Sequence, residues 1–560
     1  MEALVVKRRT LLAAAAALPL AGLACKRSRQ FAFEGELLGP SLELGHLVRD
    51  GALPAPQLFQ PIDVIIAGGG VAGLSAAWHL EGSGFQNYLL LELESEVGGT
   101  SRSGHNGVSA YPLAAHYVPA PTKDLPHLVK LLEEAGVIES YDAKGEPVFG
   151  EQHLVRSPDE RIFFHGQWWE GLYLHVGESD EELRQYRAFF QAIDQWTAWR
   201  DASGRKAFTL PRSQGSDDPA VRALDTLSFK AWLDARGFTS ERLLWLLDYA
   251  VRDDFGSRLD TTSAWAGIFY FAARKQGPGE ESRPLLTWPE GNGFLIRHLF
   301  KSCQNRVRTS HALTRIEPQP DGTLRVSAWN TRENRPVGFL ARRVIFAGPL
   351  QMAGRVMPTL QKARGKAFFE AFSATPWLVA NLTLRNRPAE RGFPLAWDNV
   401  IRQSAGLGYV VATHQSLRDH GPTVWTYYHA FAGPDPKADW LKLAAMDWRA
   451  CAALVVDDLK KAHPQIESLI ARLDVMRWGH AMIRSRPGLL WSPQLDLARQ
   501  PFRGVHFAHS DLSGLALFEE AQDHGLRAAE EVLAGLQSER PAGPASGRRR
   551  ADSRGSVVSG

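Results

Sequence analysis

The sequence predicts an α/β fold, and three features near its start support this prediction. Residues 62–67 form an apolar run with the length of a buried strand. A glycine-rich turn at residues 68–73 follows, and a helical pattern of apolar residues begins there. A second apolar run at residues 88–91 ends in Glu92. Strand, glycine turn, helix and strand in this order predict a Rossmann-type βαβ unit.

The glycine turn predicts a dinucleotide site. We expect Gly68 to allow the tight turn, Gly70 to let the backbone approach a pyrophosphate, and Gly73 to let the helix pack on the strand. The start of the helix then offers free N–H groups and the positive end of its dipole to the phosphates. Glu92 lies nineteen residues after Gly73, where a carboxylate accepts hydrogen bonds from a ribose hydroxyl. The alternative is an ordinary βαβ unit without a nucleotide.

The segment after Glu92 indicates which dinucleotide is bound. It reads Glu92-Leu93-Glu94-Ser95-Glu96-Val97-Gly98-Gly99-Thr100-Ser101-Arg102. This segment resembles the E-x4-V-G-G signature of FAD-binding oxidoreductases, a group that includes monoamine and polyamine oxidases, protoporphyrinogen oxidase and the carotene desaturases. The resemblance implies that Gly98 and Gly99 lie near the FAD diphosphate. Because Thr100 stands where amine oxidases usually carry arginine, we expect Arg102 to hold the diphosphate instead. A solvated loop charge is the alternative for Arg102.

Two motifs near the other end of the chain resemble the same family. Residues 505–511 resemble its F-A-G-T-E strand end, with Asp511 in the position of the acid. Residues 519–529 resemble its last helix, whose N-terminus points at the flavin in relatives and would stabilise negative charge on the reduced ring. Motifs more than 400 residues apart in the correct order predict FAD as the cofactor. We expect FAD to be bound non-covalently, because no cysteine or histidine occupies a family position for a covalent link.

Three further segments resemble parts of the family's FAD domain, although each is equally consistent with plain scaffold. They are a turn at residues 286–293, strands at 307–316 with Leu313 against the adenine edge, and a buried strand at 342–349. The cofactor-binding residues that the motifs and the resemblance predict are Gly68, Gly70, Val71, Ala72, Gly73, Glu92, Gly98, Gly99, Thr100, Arg102, Leu313, Asp511, Phe518 and Ala521.

The resemblance covers nearly the whole chain after residue 30 and implies a two-domain architecture. In this architecture a Rossmann-type FAD-binding domain is interrupted by a mixed α+β substrate domain. The predicted parts are an FAD-binding domain at 61–120, 286–350 and 476–536, a substrate domain at 121–285 and 351–475, an N-terminal arm at 26–60 and a disordered tail at 537–560.

Composition limits the function classes. The 560 residues carry 64 basic and 61 acidic side chains, a net charge of +3, which argues against nucleic acid as a partner. The three cysteines, Cys25, Cys303 and Cys451, have no metal-ligand spacing, and we predict no metal site. No segment after residue 30 is apolar over the about 18 residues that a membrane span needs.

The first 25 residues are typical of an export signal. A twin arginine, Arg8-Arg9, precedes a 14-residue apolar run from Leu11 to Ala24 that is too short to span a bilayer. The pattern resembles a twin-arginine signal, which suits a flavoprotein that folds around its cofactor before export. We therefore expect a location in the periplasm or on the outer face of the cytoplasmic membrane. Lipidation of Cys25 is the alternative to simple cleavage, and only then do we expect membrane contact.

The implied cofactor sets the chemistry, because FAD accepts a hydride equivalent at N5. The substrate should enter between the two domains, opposite the reactive face of the ring. Amine oxidases add a lysine that holds a water near N5 and an aromatic pair that aligns the amine. Here residues 373–381 contain no lysine, and Ala516-Leu517 stands in place of the family's Gly-Tyr. These departures weaken the case for rapid reaction with oxygen and for amine alignment.

Four side chains are candidates for substrate chemistry. Asp253 and Asp254 follow a helical pattern, and paired carboxylates in a buried domain would hold a cationic amine. An acidic helix cap or a surface salt bridge is the alternative for this pair. His480, which the family position places beside the flavin, and His116 are candidate acid–base or proton-carrying groups. A structural, hydrogen-bonded histidine is the alternative for both.

Three functions follow from these features. The first is an exported FAD-dependent oxidoreductase that oxidises a small organic substrate, with an amine or polyamine favoured. The second is an FAD-dependent dehydrogenase or desaturase that acts on an apolar substrate and passes electrons to quinone. The third is a non-catalytic flavin-binding protein. The expected partners are a small-molecule substrate and an electron acceptor, either oxygen or a quinone.

Overall fold

The structure, a computed structural model, describes residues 29–539. The predicted export signal, with Cys25, and nearly all of the predicted tail lie outside the described residues. The strands are β1 Leu37–Leu38, β2 Gln60–Ala67, β3 Tyr88–Leu91, β4 Ser103–His105, β5 Ala110–Pro112, β6 Tyr117–Pro119, β7 Ile138–Tyr141, β8 Pro147–Phe149, β9 Glu160–Phe164, β10 Gln167–Glu170, β11 Leu285–Thr287, β12 Val307–Arg308, β13 His311–Pro318, β14 Leu324–Asn330, β15 Arg335–Phe346, β16 Ala374–Leu384, β17 Asp398–Ile401, β18 Gly408–Val411, β19 Thr423–Ala430, β20 Ile470–Ile483 and β21 Val505–Phe507.

The helices surround two large sheets. They are α1 Leu42–Arg49, α2 Val71–Gly82, α3 Pro126–Glu134, α4 Asp180–Ala198, α5 Pro219–Ala223, α6 Phe229–Asp234, α7 Glu241–Phe255, α8 Ala264–Ala272, α9 Gly293–Cys303, α10 Leu350–Val356, α11 Pro358–Arg364, α12 Lys366–Glu370, α13 Pro436–Ala445, α14 Trp448–Leu459, α15 Ile466–Leu469, α16 Pro493–Arg499 and α17 Phe518–Ser538.

The first sheet has seven strands in the order β12-β3-β2-β15-β14-β13, with β21 also beside β15. The strands β12, β3, β2, β15 and β21 run parallel to their neighbours, whereas β13 and β14 are antiparallel. The carboxyl ends of β3, β2, β15 and β21 therefore meet at one edge. This is the edge where an open parallel sheet holds a ligand, and it confirms the predicted α/β class with a Rossmann-type unit.

Two helices lie close against this edge because glycine leaves room for them. A Cβ atom added to Gly73 in α2 would lie 1.8 Å from the carbonyl oxygen of Gly68, so α2 packs tightly on the turn, as expected. A Cβ atom added to Gly525 in α17 would lie 2.2 Å from the carbonyl oxygen of Ala72. The start of α2 is thus held against the body of α17.

The second sheet has eight strands in the order β1-β20-β16-β19-β18-β17-β9-β10. Most neighbours are antiparallel, and the parallel exceptions are β1 with β20 and β17 with β9. This sheet belongs to the predicted substrate domain. The two sheets together form the mixed two-domain architecture that the resemblance implies.

The structure draws three domain limits differently from the sequence, and it also places strands in a region expected to be mostly helical. Residues 476–483 belong to β20 in the second sheet, not to the FAD-binding domain, and 350–372 pack in the core of the first sheet. Residues 160–170, in a region expected to be mostly helical, form two strands of the second sheet. The predicted arm, 26–60, contributes β1 to the second sheet and α1 beside β13. These limits depend on long-range pairing, which local patterns do not encode.

Candidate functional site

A large cavity, with a volume of about 1020 Å³, begins at the carboxyl edge of the first sheet and extends to the second sheet. At one end the glycine turn and Glu92 line the wall. At the other end the loop that contains His116 faces Tyr428 of β19. A cavity with this span can hold a dinucleotide and a small molecule side by side.

The glycine turns form the first end of the cavity. Helix α2 starts directly after Gly70, and no side chain caps its first N–H groups. A Cβ atom added to Gly99 would lie 3.4 Å from the Cα atom of Gly70, so the two glycine turns nearly touch. The carboxyl group of Glu92 accepts hydrogen bonds from the N–H groups of Gly69 (2.7 Å) and Glu94 (2.8 Å). Burial raises the pKa of Glu92.

These features fit the dinucleotide that the sequence predicts. Helix α17, like α2, starts without a side-chain cap, at Leu517, and its first residues line the cavity. Two uncapped helix N-termini therefore open on one cavity, and each favours a negatively charged group. The glycines at 68–70 and 98–99 remove the side chains that would hold a diphosphate away from these N–H groups.

Most of the predicted site residues lie on this cavity, but three do not. Gly73 is behind the turn, where it serves the packing of α2. The guanidinium carbon of Arg102 lies 5.3 Å from the ring centre of Trp478, and Arg102 Nε is buried without a hydrogen-bond partner. The carboxyl group of Asp511 accepts a hydrogen bond from the N–H of Leu350 (3.1 Å). The predicted residues on the wall are Gly68, Gly70, Val71, Ala72, Glu92, Gly98, Gly99, Thr100, Leu313, Phe518, Ala521, His116, Asp253, Asp254 and His480.

Of these three residues, Gly73 has the packing role that its motif predicts, and Arg102 and Asp511 do not line the cavity. Gly73 is covered by the turn that precedes it, and Arg102 is directed at an indole ring. Asp511 lies behind its neighbours His509 and Ser510, which line the cavity in its place.

Aromatic rings surround His116 at the second end of the cavity. The ring centre of His116 lies 5.0 Å from that of Tyr117, 5.4 Å from that of Trp397 and 4.9 Å from that of Tyr428. The Nδ1 atom lies 3.3 Å from the carbonyl oxygen of Ala114, and burial lowers the pKa of His116 to about 4. The imidazole is therefore neutral near pH 7, with Nδ1–H as the donor and Nε2 as an acceptor.

The two neighbouring carboxyl groups in the last turn of α7 have different environments. Asp254 is buried and paired with Arg274, whose Nη2 lies 2.7 Å from its oxygens, and the hydroxyl of Tyr117 lies 3.3 Å away. Asp253 lines the cavity and, among the described residues, has no hydrogen bond or ion pair from its side chain. Burial, with the charge of Asp254, raises the pKa of Asp253 to about 7. The helix-cap alternative is wrong for both, because α7 ends here.

A third wall comes from the predicted arm. His480 of β20 stacks on Trp440 of α13, with 6.2 Å between ring centres and 8° between planes. Burial lowers the pKa of His480. Trp440 also contacts His46 of α1, and α1 lines the cavity beside the first sheet. The arm therefore closes one side of the cavity, although the sequence predicted no helix or strand for the arm.

Several cavity residues carried no prediction. Arg274 and Tyr428 are located by contacts with Asp254 and Ala114, which are 20 and 314 residues away in the sequence. Such contacts leave no local signal. Glu519 and His509 lie within the two motifs near the end of the chain, and a histidine where the family pattern has glycine is a signal that the sequence itself carries.

Within residues 29–539 no three His, Cys, Asp or Glu side chains are grouped as metal ligands. No helix there has the length and apolar character of a membrane span.

Comparison with known proteins identifies relatives of the chain. Residues 71–533 match the family model described as flavin containing amine oxidoreductase. The chain is 23% identical over 538 residues to oxidoreductase PigB of Serratia sp. (strain ATCC 39006), which covers 85% of this chain and 75% of that protein. Two solved structures share the fold at low identity. A putrescine oxidase variant has a TM-score of 0.63 at 16% identity, covering 85% of this chain and 100% of that one. Cyclohexylamine oxidase from Brevibacterium oxydans IH-35A has a TM-score of 0.59 at 15% identity, covering 85% and 99%.

Proposed function

Since the chain belongs to the flavin containing amine oxidoreductase family, we propose that its substrate is a small cationic amine or polyamine. The family makes the protein an FAD-dependent oxidoreductase. Bound FAD supplies the hydride acceptor, at N5 of its ring. What this chain supplies is a binding site for the substrate and a place for its proton.

The observation that carries the proposal is the unpaired carboxyl group of Asp253 on the cavity wall. Its neighbour Asp254 is neutralised by Arg274, but Asp253 has no such partner among the described residues. Tyr117 and Tyr428 lie close enough to Asp253 for its negative charge to contribute to the raised pKa of both hydroxyl groups. A cationic amine would pair with the carboxylate and face the electron-rich ring surfaces. Two relatives by fold, putrescine oxidase and cyclohexylamine oxidase, are named for amine substrates.

His116 completes the proposed substrate site. An ammonium ion must lose a proton before its carbon can give up a hydride. The neutral imidazole of His116 keeps its donor, Nδ1, directed at Ala114 and leaves Nε2 to accept a hydrogen bond from the amine. The carboxylate of Asp253, with a pKa of about 7, is the stronger base for the proton itself. The surrounding rings of Trp397 and Tyr428 exclude water and hold the imidazole in place.

Anaerobic reduction of the flavin tests the substrate class. The purified protein is mixed with amines and, as matched controls, with alcohols of the same carbon skeleton. Loss of the oxidised flavin absorbance with an amine but not with its alcohol supports a cationic substrate. Reduction by the neutral members alone, or by none of the panel, contradicts it.

The pH dependence of this reaction gives a second prediction. Asp253 has a pKa of about 7 in the folded protein, so it becomes charged as the pH rises through 7. We expect kcat/KM for an amine to rise about tenfold per pH unit below 7 and to level above it. His116, with a pKa of about 4, does not titrate in this range. Glu519, which also lines the cavity, has a pKa of about 7 from burial.

The variant Asp253→Asn distinguishes the contribution of Asp253 to this pH dependence from that of Glu519. If Asp253 causes the rise, its amide variant has a flat profile between pH 5.5 and 8. A rise that persists in this variant would assign the effect to Glu519 and contradict the prediction.

A second candidate function differs from the first in its electron acceptor, which would be a quinone instead of oxygen. Ser373, Ala374 and Trp377 line the cavity where amine oxidases carry a lysine, and this chain has none in the segment. This departure favours a dehydrogenase that passes electrons to a quinone. Mixing the reduced protein with oxygen or with a soluble quinone distinguishes the two acceptors. Reoxidation in milliseconds by quinone but over minutes by oxygen supports the dehydrogenase.

We also propose export to the periplasm or the outer face of the cytoplasmic membrane, supported by Arg8-Arg9 and the apolar run that follows. We expect Arg8→Lys with Arg9→Lys to retain the flavoprotein in the cytoplasm, because a twin-arginine route reads both side chains. Fractionation of cells, with flavin fluorescence and immunoblotting, measures this. Unchanged export of the double variant would contradict a twin-arginine route.

A further inference from the structure

The cavity edge that faces the expected diphosphate lacks the arginine that relatives place there. Relatives place an arginine near this group, but Thr100 replaces it here and Arg102 is directed at Trp478. Among the described cavity residues at the carboxyl ends of β3, β2, β15 and β21, His509 is the one basic side chain. Arg49 of α1 and Arg355 of α10 line the cavity from helices, so His509 is the candidate that the strand ends themselves offer for a charged contact with a bound anion.

His509 is held by the residues that follow it. The N–H of Asp511 lies 3.1 Å from His509 Nδ1, and the Oδ1 atom of Asp511 lies 3.2 Å from the same nitrogen. Asp511 is in turn fixed by the N–H of Leu350 at the start of α10. Neutral Nδ1 accepts a hydrogen bond from the N–H of Asp511, whereas protonated Nδ1–H donates to the Asp511 carboxylate. In either state Nε2–H is the donor that remains for a ligand. No hydrogen bond from the described protein reaches Nε2.

The position of His509 along the sheet indicates which part of FAD it meets. Glu92 follows β3 and marks the ribose side of the nucleotide. The glycine turn follows β2, and His509 follows β21, on the opposite side of β15 from β2. Strands β2 and β21 are two strand spacings apart, which is about 10 Å. A diphosphate at the glycine turn and the imidazole of His509 together span this distance. His509 therefore lies on the flavin side of the diphosphate.

We propose that His509, positioned by Asp511, donates a hydrogen bond from Nε2 to the flavin-side phosphate of FAD and replaces the missing arginine. A charge-assisted hydrogen bond of this kind is stronger than a neutral one. The inference concerns the cofactor and does not depend on the identity of the substrate.

The charges around His509 support a protonated state. Burial by itself lowers the pKa of His509, but the charge and hydrogen bond of Asp511 outweigh burial and raise it above its ordinary value of 6.5. The other titratable or charged groups near the pair are His480 on β20, and His524 and Arg527 on α17. Bound phosphate favours the protonated imidazole, so FAD affinity is greatest below the pKa of His509 and falls as the pH rises through it.

Titration of the FAD-free protein with FAD, followed by quenching of flavin fluorescence, tests this proposal between pH 6 and 9. We expect the wild-type dissociation constant to rise with pH. His509→Gln, which keeps an N–H donor but no charge, should bind FAD roughly tenfold more weakly at pH 6 and lose the pH dependence. The control is His506→Gln, because His506 lies on β21, just before His509, and pairs with Glu531. It should follow the wild type.

Asp511→Asn gives an independent result if His509→Gln does not fold by circular dichroism. Removal of the carboxylate should move the fall in FAD affinity to lower pH. A wild-type pH profile in His509→Gln, or in Asp511→Asn, would overturn the proposal.

Discussion

Gly70→Leu is expected to yield a folded protein without FAD. The backbone of Gly70 has φ −76°, which any residue adopts, and an added Cβ atom would meet only the Cα atom of Gly99, at 4.0 Å. A leucine side chain there would occupy the space between the two glycine turns. It would hold the phosphates away from at least two N–H groups, worth together about 4 kcal/mol, so FAD affinity should fall about 1000-fold.

The ratio of flavin absorbance at 450 nm to protein absorbance measures this effect. Gly82→Leu is the matched control, because Gly82 ends the same helix and an added Cβ atom meets nothing within 4 Å. The control should retain FAD fully. A yellow Gly70→Leu protein with normal flavin content would show that the diphosphate does not lie across this turn.

Asp253→Asn is expected to lower kcat/KM for a cationic amine at least about 30-fold at pH 8. The variant removes the charge that pairs with the ammonium group, and loss of one partner from a buried charge pair costs 2 kcal/mol or more as an order of magnitude. Asp260→Asn, an exposed aspartate a few residues later, should change the value less than twofold. An equal rate in Asp253→Asn and wild type would remove Asp253 from the substrate site.

Thermal unfolding checks that the loss is not a failure to fold. The pKa of Asp253 is about 7 in the folded protein and 3.8 for an ordinary aspartate, so the folded state binds more protons between these values. Stability from this group therefore falls as the pH rises from about 4 to 7. Asp253→Asn escapes this loss and should unfold at an equal or higher temperature than wild type at pH 8.

The sequence predicted the first sheet and its glycine turns well, because their signals are local. Strand β2, the turn and α2 follow one another, and each has a recognisable composition. The domain limits were predicted less well. Strand β1 of the predicted arm pairs with β20, more than 400 residues away, and no local pattern encodes that pairing.

The candidate site shows the same division. Residues 68–72 and 98–100 line the cavity. They were predictable because they belong to glycine motifs that are visible in the local sequence. The ends of long side chains were not predictable, since Arg102 stacks on Trp478 rather than entering the cavity. The split between Asp253 and Asp254 depends on Arg274, which reaches Asp254 from beyond the end of α8.

A crystal structure of the FAD complex with a non-oxidisable amine analogue tests the central claim most directly. FAD should lie with its diphosphate at the start of α2 and its ring toward the loop that contains His116. The nitrogen of the analogue should lie within hydrogen-bond distance of the Asp253 carboxyl group. An amine bound elsewhere in the cavity, with Asp253 still unpaired, would contradict the proposed substrate site.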